Sequence, residues 1–91
     1  MKVFGYKFYF WANENNEPIH IHISKGMPTS NSTKVWLTKT GGCILENNNS
    51  KIPENDLNKL LDIVSKHYFL IVEKWREFYK IEDIKDVLFY C

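Results

Sequence analysis

The sequence predicts an α+β domain, a small antiparallel sheet of three to four strands packed on one long C-terminal helix. Three observations carry this expectation. Residues 19–24, "IHIHIS", alternate apolar and polar side chains without a fault, which is the period of a half-buried strand. Leu57, Leu60, Leu61, Val64, Tyr68, Ile71, Trp75 and Phe78 recur at steps of three and four, which is the stripe of an amphipathic helix. The strand-like segments all precede the helical one, so the helix is expected to lie across one sheet face.

Taken in order, "VFGYKFYFWA" (3–12) is dense in aromatic and β-branched residues and stops at the polar cluster "NENNEP", so it reads as strand one. Residues 19–24 form strand two. "KGMPTSNS" (25–32) gathers glycine, proline, serine and asparagine and reads as a loop. "TKVWLTK" (33–39) is strand three, Gly41–Gly42 a turn, and the residues after it a short fourth strand broken by asparagines 47–49. Pro53 suits the first turn of a helix, and Glu54 and Asp56 complement its dipole. The apolar stripe then predicts one helix over residues 53–79, roughly 40 Å long. The tail, 81–91, contains "VLFY" and is read as a possible extra strand.

Ninety-one residues form one domain, and a 44% hydrophobic content with three Trp, five Tyr and six Phe can fill its core unaided. Twelve basic against eleven acidic side chains leave a formal charge of +1, which gives no general attraction to nucleic acid or anionic lipid. The longest apolar runs, such as "YFLIV", are far too short to span a bilayer. No signal-peptide pattern opens the chain, so a cytoplasmic location is expected. Cys43 and Cys91 match no zinc or redox spacing and read as free thiols. No cofactor is expected.

Strand parity separates two faces. Ile19, Ile21, Ile23, Val35 and Leu37, with Phe4, Tyr6, Phe8 and Phe10, should lie under the helix. The other face should then display His20, His22, Tyr9, Trp11, Trp36, Lys7 and Lys34. An open face of two imidazoles, two indoles and a phenol would be an interaction site. In that reading His20 and His22 are central, Trp11, Trp36 and Tyr9 stack or pack, and Lys7 and Lys34 make charge contacts. Two alternatives use the same histidines. They could serve as general acid and base of a ribonuclease, since imidazole titrates near neutrality. They could also ligate a metal, but two ligands make no site, and Glu14 or Glu17 would have to supply the third from a loop that the sequence does not fix. His67, on the helix, is a poor candidate. No metal is therefore favoured. A structural role for the pair is the remaining reading.

The stretch "NENNEPIHIHI", then "TKVWL", then "LIVEKWREFY", resembles a family of small bacterial and archaeal proteins known as domain of unknown function family 4160. Its members typically read Asn-Glu-Gly-Asn-Glu-Pro-Pro-His-x-His-Val, followed by a strand with Phe-Trp-Leu and a helix closing in a Trp-x-Glu-Tyr/Phe segment. The resemblance covers residues 4–79. It places the family motif on Glu14, Glu17, Pro18, His20 and His22, with Trp36 and Trp75 as the later aromatics. Ile19 and Asn15 depart from it, standing where proline and glycine are common. Such proteins often sit beside another small protein in toxin–antitoxin-like gene pairs. The resemblance thus implies half of such a module, binding a small protein encoded nearby or nucleic acid, with homodimerisation also open.

Overall fold

The computed structural model describes residues 2–3, 5–12, 14 and 16–91, with the backbone alone for Lys2. Phe4 and Asn15 lie outside the described residues. Five antiparallel strands run in chain order across one sheet: β1 (Lys2–Val3), β2 (Tyr6–Tyr9), β3 (His20–Lys25), β4 (Thr33–Leu37) and β5 (Cys43–Asn48). Two helices follow, α1 (Glu54–Lys66) and α2 (Tyr68–Tyr79).

The expected first strand is in fact a hairpin. Gly5, at φ +81°, turns the chain between β1 and β2, a backbone geometry that side chains with a Cβ resist. The turn before β5 forms where expected, with the Thr38 amide bonded to the Gly42 carbonyl and Gly41 at φ +92°. A second correction concerns asparagines 47–49. Asn47 and Asn48 belong to β5, opposite Lys34 and Thr33, past a bulge that shifts the register between Lys34 and Val35. The Asn48 side chain explains why polar residues end this strand. Its Oδ1 accepts from the Ile52 amide and the Thr33 hydroxyl, and its Nδ2 donates to the Ile52 carbonyl. One side chain thus fastens the entry to α1 onto the sheet.

The core lies between the sheet and the helices. Tyr6, Phe8, Ile19, Ile21, Ile23, Val35 and Leu37 meet Leu57, Leu60, Val64, Tyr68, Ile71, Val72 and Trp75. The isoleucine face is therefore the helix face, as parity requires. Pro53 precedes α1, and the Tyr6 hydroxyl donates to Asp56 in its first turn at 3.0 Å.

The single long helix does not form. The chain breaks at His67, where φ is −104° and ψ 23°, although the His67 and Ile71 amides keep their bonds four residues back. No glycine or proline marks the place. The physical reason is tertiary. Tyr68 is buried and its hydroxyl donates to the Thr38 carbonyl just past the end of β4, which ties the start of α2 to that end of the sheet. Phe78, expected in the core stripe, is 49% exposed.

The tail is not a strand either. Residues Ile84–Asp86 form a 3-10 turn capped by the Asp83 side chain. The chain then runs extended, donating no ladder but accepting from the Ile19 amide at Leu88 and the Lys39 amide at Cys91. Val87 enters the core beside this crossing.

Candidate functional site

β3 places His20, His22 and Ser24 on the face opposite the isoleucines, and its register sets Tyr9 beside His22 on one flank. On the other flank Trp36 lies beside His20 and Lys34 beside His22. Parity predicted this grouping. It did not predict burial. His20 is 0% exposed, His22 6% and Trp36 7%, so the open histidine and tryptophan face expected from parity is covered.

Three segments cover it. The tail brings Tyr90 onto Trp36, with rings stacked 5.0 Å apart. β2 ends at Tyr9 and offers His20 no neighbour, and Trp75 of α2 takes that place at 5.3 Å. The loop before β3 brings Glu14 over both imidazoles. Sequence reasoning missed Tyr90 and the approach of Trp75 altogether, since both contacts span distant parts of the chain.

Glu14 Oε1 lies 3.0 Å from His20 Nε2 and 2.8 Å from His22 Nε2. The other ring nitrogens are also engaged. His20 Nδ1 donates to the Pro18 carbonyl at 2.8 Å, and His22 Nδ1 lies 2.9 Å from the Ser32 hydroxyl. Ser32 was passed over as a loop residue. A hairpin register continued one pair past Thr33 would have found it, because it then falls opposite Ser24, on the histidine face.

Burial pushes the His22 imidazole below its ordinary range, and the attraction of Glu14 does not restore it. Burial alone would push the Glu14 carboxyl up. Hydrogen bonds and charge from His22 and His20 together outweigh that and hold it below its usual value. The carboxylate is thus ionised near neutrality, and the hydroxyl of Ser32 can donate to His22 Nδ1 or accept from it, according to the ring tautomer.

The remaining expected residues form a rim. Tyr9 stacks on His22 at 5.7 Å, and Trp11, 37% exposed, meets both rings edge-on. The Tyr79 hydroxyl donates to the Trp11 carbonyl and so anchors the rim to α2. Lys34 pairs with Glu17 at 2.7 Å and lies over the Trp36 ring. Its charge is already neutralised within the fold. Lys7 is half-buried across from Ser24. His67 is exposed at the helix break.

Chemically, the cluster presents one carboxylate oxygen and two imidazole nitrogens converging on one point. Among the described residues, Glu14, His20 and His22 are the group that could hold a metal ion, their ligand atoms all lying within 4.8 Å of one another. Residues 5–76, more than half of the chain, match the family described as Domain of unknown function (DUF4160). The chain belongs to this family. No curated protein and no solved structure matches it. Glu14, His20, His22, Trp36 and Trp75 all fall inside the DUF4160 segment, whereas Tyr79 and Tyr90 lie beyond it.

A second surface is apolar. A groove of about 490 Å³ opens between β2 and α2, lined by Phe8, Phe10, Ile21, Leu70 and Phe78, with Lys74 and Glu77 at its rim.

Proposed function

We propose that this DUF4160 chain is a cytoplasmic protein-binding domain, one half of a toxin–antitoxin-like pair, and that it binds its partner through the groove between β2 and α2. The observation that carries this reading is the exposed side of α2. Leu70 and Phe78 are about half exposed beside that groove, and Phe69 is 77% exposed on the same helix. An apolar patch of this kind on a small domain favours association, and an amphipathic helix laid into a groove is a common occupant. Lys74 and Glu77 would pair with one acidic and one basic group flanking such a helix. The balanced charge of the chain favours a protein over nucleic acid.

The buried histidine cluster supports neither stacking on a partner nor surface acid–base chemistry. His20 has no exposed surface from which to reach a phosphodiester. No helix among the described residues is long and apolar enough to cross a membrane.

The test is co-expression with the partner this reading requires, a small protein from an adjoining gene. A stable complex with the wild type that is lost in Leu70→Glu, with unchanged circular dichroism, is the expected result. A complex that survives Leu70→Glu would move the interface elsewhere. A homodimer that needs no second protein would replace the pair reading.

A further inference from the structure

The histidine cluster brings two ring nitrogens and one carboxylate oxygen to a single point. The Pro18 carbonyl can only accept, so His20 Nδ1 carries a proton. The other nitrogen of the same ring, Nε2, faces Glu14 Oε1 at 3.0 Å. His22 directs its Nε2 to the same oxygen at 2.8 Å.

We propose that Glu14, His20 and His22 bind one zinc ion per chain, through Glu14 Oε1 and the Nε2 atoms of both imidazoles. Two imidazoles and one carboxylate are a common zinc donor set, and three protein ligands leave a fourth tetrahedral corner for water. Donors about 2.0–2.1 Å from a tetrahedral ion stand about 3.3 Å apart, close to the 3.0 and 2.8 Å between Glu14 Oε1 and the two Nε2 atoms, with all three atoms within 4.8 Å of one another. Glu14 sits on a loop with its side chain 22% exposed, so a small rotation opens the space.

The surroundings are those of a ligated site. Metal-binding imidazoles usually donate the remaining N–H to a carbonyl or other acceptor, which orients the ring. Pro18 does this for His20, and the Ser32 hydroxyl is placed to do it for His22. Tyr9, stacked on His22, carries a buried hydroxyl with no partner among the described residues. Such a group ordinarily signals a water or ion nearby. Tyr9 also lines the α2 groove, but none of the three ligands does, and the existence of the site does not depend on the partner reading.

The experiment uses tag-free full-length protein, stripped with chelator and titrated with Zn²⁺ by calorimetry, and with Co²⁺ followed by visible absorption. One ion per chain, a raised Tm and the visible bands of tetrahedral Co²⁺ with nitrogen and oxygen ligands are expected. Ser32→Ala should weaken zinc by about 10- to 100-fold, and Glu14→Gln by more, with circular dichroism unchanged. Folded wild type that takes up no stoichiometric zinc overturns the proposal, as does Glu14→Gln binding as tightly as wild type. Should Glu14→Gln fail to fold, the cobalt spectrum of the wild type still decides. A strong sulfur-to-cobalt charge-transfer band would put the ion on Cys43 or Cys91 and also overturn it.

Discussion

Single side chains carry more of this structure than their types suggest. Trp36 looks like a surface binding residue by parity, because it alternates with Val35 and Leu37. Yet it is held between His20, Tyr90 and the Lys34 ammonium. Trp36→Ala should therefore destabilise the fold by about 3–5 kcal/mol, the usual cost of removing a buried indole. Urea denaturation checks this, and a change below about 1 kcal/mol would mean the ring is not part of the packing. Asn48 is a second case. It reads as a loop residue, but its carboxamide satisfies a backbone amide, a backbone carbonyl and the Thr33 hydroxyl at once. Asn48→Ala strands the Ile52 amide and carbonyl while the Thr33 hydroxyl keeps Ser50, and a loss of about 1–3 kcal/mol is expected in the same assay. Strand parity is legible from side-chain type, whereas burial on the second face is not, because that depends on which distant segment lies over it.

At the level of elements, the helix break and the tail are the two departures from periodicity. The stripe from Leu57 to Phe78 is continuous, and no local residue interrupts it. The break at His67 follows from where Tyr68 must stand for its hydroxyl to reach Thr38. Tyr68→Phe removes that donor from a buried carbonyl and should cost about 1–3 kcal/mol, read as a lower urea midpoint with unchanged slope. The tail has a distinct role from the edge strand its composition suggested. Truncation after Asp86 removes Val87 from the core and Tyr90 from Trp36. The shortened protein should melt earlier and show red-shifted tryptophan emission as Trp36 meets water. Equal melting of the two forms would show that the tail adds nothing.

For the molecule as a whole, two buried phenols make stability depend on alkaline pH. Burial raises the pKa of Tyr6, and the hydrogen bond to Asp56 and its charge raise it further. Burial raises that of Tyr68. A folded pKa above the unfolded one means that the native state holds its proton longer. The stability these phenols contribute is thus complete below about pH 10, the ordinary tyrosine value, and is lost as pH rises through the folded values. Denaturation at pH 8 and pH 10.5 should show a drop for the wild type and a smaller one for Tyr68→Phe. An equal drop in both would remove Tyr68 from this account.

The sequence by itself determined the α+β class, the antiparallel order of the main strands, the isoleucine core face and the membership of His20, His22, Tyr9 and Trp36 in one opposite group. Those features follow from period and parity, which are local. It also contained the family motif of Glu14, Glu17, Pro18, His20 and His22. Only the tertiary structure decided that Glu14 closes over both imidazoles, that Ser32 and Pro18 hold their far nitrogens, and that Tyr90 and Trp75 bury the face. Each of these contacts joins a strand to a loop, a tail or a helix whose position is set by packing, and no local pattern encodes where such segments come to rest.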